Sequence, residues 1–114
     1  MSGNLPMVKK TIDRRIKSKI RLFSQQLTRE GIKFNSIILF GSYAKGLEKP
    51  ESDIDLGVIL PGLNADEINE SAHLRLLASR IDWRIEPHII TAHNLKNRSN
   101  PFVWEIISTG IKVK

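Results

Sequence analysis

Two short apolar runs, each with polar residues at one end, constrain the fold of this chain more than any other feature. The first run, Ser36–Phe40, is rich in branched residues and is followed by Gly41 and Ser42. The second alternates apolar residues with Asp53 and Asp55 at its start. Branched residues and alternation are typical of buried strands. Because the end of the first strand meets the start of the second only if the two are antiparallel neighbours, we predict that pairing.

The acidic pair predicts a site for divalent metal ions. Side chains two residues apart leave the same face of a strand, which places the Cα atoms of Asp53 and Asp55 roughly 6.6 Å apart. Unpaired carboxylates at that spacing repel one another. Two hard cations about 3.5 to 4 Å apart, the arrangement used for in-line displacement at phosphorus, need carboxylates presented in this way. We therefore expect two Mg²⁺ ions at this strand.

The Gly41-Ser42 pair predicts a phosphate site beside these carboxylates. Glycine has no side chain to keep a phosphate from its backbone amide, and serine offers a hydroxyl and a second amide. The pair is not a Walker loop, because the Gly-Lys-Ser/Thr ending is absent. Taken singly, Gly-Ser after a strand is usually a turn, and Ser-Asp before one is usually a cap. Their meeting at adjacent strand ends favours a nucleotide site.

Two segments have the pattern of helices that flank the sheet. The first carries apolar residues at spacings of three and four until Gly31 stops it. The second begins at Asn64 and Glu67, which resemble a capping box, and continues to Arg80 as a crossover helix. The apolar residues of the two helices are Val8, Ile12, Ile16, Ile20, Phe23 and Leu27 in the first, and Ile68, Leu74 and Leu77 in the second.

A third strand and a last short helix complete the predicted fold. Trp83, Ile85 and Ile89 alternate with polar residues, which predicts a strand with another polar face. A right-handed crossover would place it parallel to the second strand. Asn100 followed by Pro101 starts a last short helix through Phe102, Ile106 and Ile107, and Gly110 stops it. The predicted fold class is α/β (α+β), with a mixed three-stranded core sheet in the order 1-2-3 flanked by helices, in one domain over residues 1–114.

Composition limits the partners and the location. The chain of 114 residues has a net charge of +6, which favours anionic partners such as nucleotides, nucleic acid or an acidic protein. It contains no cysteine, so a metal must be held by oxygen or histidine. No apolar stretch approaches the ~20 residues of a membrane span, and the N-terminus lacks an apolar signal core. We expect a soluble cytoplasmic protein.

The segments GSYAKG and SDIDLGV resemble the signature of the DNA polymerase beta type nucleotidyltransferases. The short chain is similar to their minimal nucleotidyltransferase branch, in which Gly-Ser, Ala-basic-Gly and Ser-Asp-x-Asp recur in this order. The resemblance extends from the first helix to NPFVWEIISTGI and covers nearly the whole chain. It implies that Lys45, where the branch more often has arginine, and Ser52 bind the nucleotide together with Gly41 and Ser42.

The resemblance also implies a third acidic residue on a later strand, which ligates the catalytic metal and helps to deprotonate the acceptor hydroxyl. Asp82 and Glu86 are the candidates, and roughly 13 Å of strand separates them, so both cannot reach one pair of ions. Glu86 is the better choice because it lies within the predicted strand, although the family more often has aspartate there. Otherwise Glu86 would pair with neighbouring Arg84 or simply face the solvent. His88 borders the site if it shares the face of Glu86.

The function implied by the resemblance is attack of a hydroxyl on the α-phosphate of ATP with release of pyrophosphate. Asp53, Asp55 and Glu86 would bind Mg²⁺. Minimal nucleotidyltransferases are commonly paired with a small helical HEPN protein, often a ribonuclease toxin, which they modify and neutralise. By analogy, the acceptor here is a hydroxyl side chain of a HEPN toxin, with tyrosine favoured.

Two other functions are compatible with the sequence, and either could involve a homo- or hetero-oligomer. A non-catalytic antitoxin would bind nucleotide or partner through the same surface, which the glutamate at position 86 favours and the intact Asp53 and Asp55 oppose. A nucleic-acid-modifying transferase would use a basic row on the first helix, although no aromatic platform for bases accompanies the row. The row consists of Lys10, Arg14, Lys17 and Arg21.

Overall fold

The fold is a mixed sheet flanked by helices, and the computed structural model describes residues 12–62 and 67–114. Four strands form the sheet in the order β3-β2-β1-β4. β1 is antiparallel to both β2 and β4, and β2 is parallel to β3. The elements are α1 (Arg14–Arg29), β1 (Ser36–Phe40), α2 (Ser42–Lys45), β2 (Ile54–Leu60), α3 (Glu67–Ser79), β3 (Ile85–Thr91), a 3-10 helix (Asn94–Lys96), α4 (Pro101–Thr109) and β4 (Ile111–Lys112).

The predicted fold class and the directions of the first three strands are confirmed. The sheet differs from the prediction in one detail, because β4 adds a fourth strand beside β1. Its signal is the alternation in the last four residues, Ile-Lys-Val-Lys. A pattern of four residues is too short to distinguish a strand from an irregular tail.

Apolar side chains hold helices on both faces of the sheet. On one face, α1 and α3 pack against the strands through fully buried side chains such as Phe23, Leu27 and Leu77. On the other face, Ile106 of α4 packs in a smaller cluster that includes Phe40. Within residues 12–62 and 67–114, no helix is long and apolar enough to cross a membrane.

The two long predicted helices are observed. The apolar stripe of α1 is buried from Ile16 to Leu27, and Gly31 follows the helix with a left-handed φ of 75°. Leu74 of α3 is fully buried, as predicted. The predictions for Val8 and Asn64 lie outside the described residues, and so does the side chain of residue 68.

One predicted placement is wrong. Trp83 precedes β3, which begins at Ile85, and its side chain is 72% exposed. The Asp82 carboxylate accepts a hydrogen bond from the Arg84 amide, and the Ile85 amide donates to the Asp82 carbonyl, so these residues form a turn instead of a strand. The last predicted helix is observed as α4, in which Ile106 is buried and Ile107 is 37% exposed.

Candidate active site

The pairing of three strands brings the predicted motifs to one edge of the sheet. In the antiparallel pair, Phe40 at the end of β1 lies opposite Asp55 near the start of β2. In the parallel pair, Asp55 lies opposite Glu86 near the start of β3. The glycine and serine that follow β1 are therefore next to the acidic residues of both other strands.

Three carboxylates cluster at this edge. Asp53, Asp55 and Glu86 each offer one oxygen, and these oxygens lie within 4.8 Å of one another. Asp53 is exposed, and the other two are half-buried. Without a cation, like charges at this distance repel one another. Several carboxylate oxygens converging from an open edge are the donor set that Mg²⁺ prefers, so the residues fit a magnesium site.

Gly41 leads the chain past the carboxylate of Asp55. Its φ of 76° and ψ of −153° define a conformation that is essentially restricted to glycine. A Cβ atom at this position would come within 2.5 Å of Asp55 Oδ2. The lack of a side chain therefore permits both the turn and the close approach of the main chain to the acidic cluster.

Ser42 begins the short helix α2 directly after this turn. The Gly41 carbonyl accepts hydrogen bonds from the amides of Ala44 at 3.1 Å and Lys45 at 3.2 Å, which fix the helix. Within the described part of the chain, the Ser42 hydroxyl has no hydrogen-bond partner. The role of this hydroxyl at a nucleotide stays a prediction.

The other two predicted nucleotide contacts have protein partners. Lys45 Nζ lies 3.2 Å from Glu105 Oε1 of α4, and both side chains are about two-fifths exposed, at 41% and 42%. Ser52 Oγ accepts a hydrogen bond of 2.8 Å from the Lys49 amide, which closes the loop before β2. Their roles at a nucleotide stay predictions.

Asp82 belongs to a different cluster from the other carboxylates. It accepts hydrogen bonds from Arg84 Nη2 at 2.8 Å and Nε at 3.1 Å, and it also pairs with Lys19 of α1. The side-chain bonds from Arg84, followed by the one from Lys19, outweigh burial and hold the pKa of Asp82 well below its usual range. Arg84 also donates a bond of 2.9 Å to the Tyr43 hydroxyl. Arg84 is therefore engaged by Asp82 and not by Glu86.

His88 contacts the acidic cluster directly. It lies two residues after Glu86 on the same face of β3, and its Nε2 is 3.2 Å from Asp55 Oδ1. The alternation along β3 predicts this face. The contact with Asp55 depends on the register between β2 and β3, for which the sequence carries no local signal.

Comparison with known proteins agrees with this geometry. The model of the Nucleotidyltransferase domain family matches residues 10–106. A protein of Methanocaldococcus jannaschii named "Putative protein adenylyltransferase" is 37% identical over an alignment of 83 residues, which covers 68% of this chain and 56% of that protein. The chain thus spans little more than half the length of this relative.

Solved structures share the fold. The crystal structure of "the toxin-antitoxin with AMP-PNP" contains a chain that matches with a TM-score of 0.57 and 26% identity, over 86% of this chain and 72% of the other. A "putative nucleotidyltransferase" from Sulfolobus solfataricus matches with a TM-score of 0.58 over 86% of this chain and 78% of its own. At 14% identity, the second match bears on the fold alone.

Proposed function

The chain belongs to the nucleotidyltransferase domain family, and from that premise we propose that it transfers AMP from ATP to a hydroxyl group of a partner protein. The observation that carries the proposal is the meeting of three carboxylates with the Gly41-Ser42 turn at one sheet edge. The name of the archaeal relative supports AMP as the transferred group.

In this proposal the chain binds both the metal and the triphosphate. Asp53, Asp55 and Glu86 hold two Mg²⁺ ions, which when bound would offset the negative charge of the reacting phosphates. The amides of Gly41 and Ser42 and the serine hydroxyl bind the terminal phosphates. Two flanking side chains add contacts to the nucleotide, namely Ser52 from the loop before β2 and Lys45 after it leaves Glu105.

The proposed reaction is an in-line displacement at the α-phosphorus. The acceptor oxygen forms a bond to that phosphorus and gives up its proton to the Glu86 carboxylate, which acts as the general base. The bond from the α-phosphorus to the oxygen that bridges to the β-phosphate breaks, and pyrophosphate leaves with that electron pair. The products are an AMP ester of the acceptor and pyrophosphate.

We further propose that the acceptor is a tyrosine of a HEPN-type helical toxin and that the two proteins form a toxin–antitoxin pair in the cytoplasm. Support comes from the toxin–antitoxin structure with AMP-PNP, which contains a chain that is 26% identical to this one over the matched part. A partner that carries the acceptor would complete a site whose carboxylates lie at an accessible edge.

The proposal is tested by mixing the purified protein with ATP labelled at the α-phosphate, Mg²⁺ and the product of the neighbouring gene. We expect label on the partner, and we expect none when EDTA is present or when Asp53→Asn replaces the parent. A partner that forms a stable complex but takes up no label would favour a non-catalytic antitoxin instead.

A second candidate is a transferase that modifies nucleic acid. The exposed positions of Arg14, Lys17 and Arg21 along α1 favour it, while Lys10 lies outside the described residues. Phosphate contacts by such a row would make RNA binding fall steeply with salt concentration. Binding that is unaffected when all three residues are changed to glutamine would remove this candidate.

A further inference from the structure

We propose that His88 is a positioning residue for the metal site, which donates a hydrogen bond from Nε2 to Asp55 Oδ1 and so orients the carboxylate for metal binding. The two atoms are 3.2 Å apart. The inference rests on the proposed function, since it concerns a ligand of the Mg²⁺ ions assigned there. Hydrogen bonds of this kind to the ligands of a metal fix their orientation.

Of the three carboxylates in the cluster, Asp55 is the one whose side chain contacts another side chain of the protein, that of His88. Among the described residues, neither Asp53 nor Glu86 has a side-chain hydrogen bond or ion pair. The terminal torsion of an aspartate is broad, so the position of its Cα atom alone does not fix its oxygens. A donor on the neighbouring strand supplies the missing constraint.

The main chain confines the same carboxylate from the opposite strand. Asp55 Oδ2 lies against Gly41, where an added Cβ would come within 2.5 Å of it. Oδ1 faces His88 on β3. Because one oxygen is limited by β1 and the other by β3, the carboxylate has a defined orientation before a metal binds.

Aromatic packing holds the imidazole in place. The centroid of the His88 ring is 5.2 Å from that of Phe40 and 5.4 Å from that of Phe102. The two phenyl rings meet edge to face at 5.5 Å. Ring contacts of this geometry are favourable. The side chain of His88 is 27% exposed. Through Phe102, α4 therefore packs against a residue whose other side contacts Asp55.

Three variants separate the hydrogen bond from the packing. His88→Phe keeps a ring beside the two phenylalanines but has no donor. His88→Gln has no ring but places an amide nitrogen near the position of Nε2, whereas the amide of His88→Asn is too short to reach Asp55. Each protein is freed of metal and titrated with Mn²⁺, and binding is followed by electron paramagnetic resonance. We expect Mn²⁺ affinity to fall about tenfold in the Phe and Asn variants and to stay near that of the parent in the Gln variant.

The outcomes discriminate among the explanations. Equal Mn²⁺ affinity in His88→Phe and the parent would overturn the inference, as would equal losses in the Gln and Asn variants. If the Phe variant folds poorly in thermal melts, the Gln and Asn pair decides, because both lack the ring and differ only in reach. Failure of the proposed function has a separate signature: the parent then binds no Mn²⁺, or Asp53→Asn leaves its binding unchanged.

Discussion

At the scale of single residues, the protein holds the groups at the sheet edge to different degrees. Asp55 is confined between Gly41 and His88, whereas Asp53 is exposed. The hydroxyl of Ser42 has no partner within the described residues. We infer that the protein sets the orientation of Asp55 in advance, and that in the proposed function Asp53 and Ser42 would acquire their full contacts from metal and nucleotide.

Gly41→Ala tests the close approach of the main chain to Asp55. The variant combines an unfavourable backbone conformation with a contact of 2.5 Å to Asp55, a carboxylate of the proposed metal site. We expect it to lower the free energy of unfolding by about 1 to 3 kcal/mol and to weaken Mn²⁺ binding. Gly31→Ala is the matched control, because its φ is also near 75° but nothing lies within 4 Å of the added atom. Mn²⁺ affinity that is equal in the Gly41 variant and the parent would contradict the assignment.

Ser42→Ala tests the phosphate site. It removes one hydroxyl contact and leaves both backbone amides, so we expect ATP binding to weaken by about 0.5 to 1.5 kcal/mol. Mn²⁺ affinity should stay at the level of the parent. Calorimetry that finds equal ATP affinity in the two proteins would remove Ser42 from the site.

At the scale of elements, the sequence predicts the first three strands and their directions, but not the residue register or the long-range side-chain contacts. The alternation of β2 and the glycine after β1 carry enough signal to place two antiparallel strands and to select Asp53 and Asp55. Glu86 could be selected from the extent of β3. The bond from His88 to Asp55 joins residues 33 apart in the chain, and its register has no local signal.

Asp82 is engaged by one long-range and one local ion pair, and neither involves the acidic cluster. Lys19, its partner on α1, is 63 residues away in the sequence. Arg84 joins the same carboxylate to the Tyr43 hydroxyl on α2. The network connects α1, α2 and the start of β3, so we assign Asp82 a structural role at the junction of three elements.

Asp82→Asn should therefore affect stability and not metal binding. Its side chain is only 6% exposed, and its loss leaves two cations without their partner. We expect the free energy of unfolding at neutral pH to fall by roughly 2 to 4 kcal/mol. Mn²⁺ affinity at temperatures where the variant is folded should be unchanged. A variant as stable as the parent would contradict the structural role.

The difference in stability between the parent and Asp82→Asn should depend on pH in one direction. The folded pKa of Asp82 lies below the value of about 3.9 expected for an unfolded chain, so its contribution to stability is present above about pH 4 and is lost as the pH falls. Asp82→Asn lacks this contribution at every pH. Urea unfolding of the two proteins should converge as the pH falls below about 4, and a constant difference down to acid pH would refute the explanation.

At the scale of the whole molecule, the apolar core lies on the two faces of the sheet and the proposed active site lies at one edge. Two helices cover one face with most of the core, α4 supports the other face, and the three carboxylates lie together at one edge. The net charge of +6 suits anionic partners, including ATP. Because the chain spans 56% of its archaeal relative, the acceptor and the partner are the parts of the proposed function that require direct measurement.

The most direct measurement is the intact mass of a purified HEPN-type partner after incubation with Mg·ATP and each form of this protein. We predict that the parent and Asp82→Asn, assayed where both are folded, add the mass of one or more AMP groups. Glu86→Gln should add none while still binding the partner, because it loses a charge at nearly constant shape. No adduct from the parent despite a stable complex would contradict transfer, and an adduct made by Glu86→Gln but not by Asp82→Asn would contradict the choice of Glu86 as base.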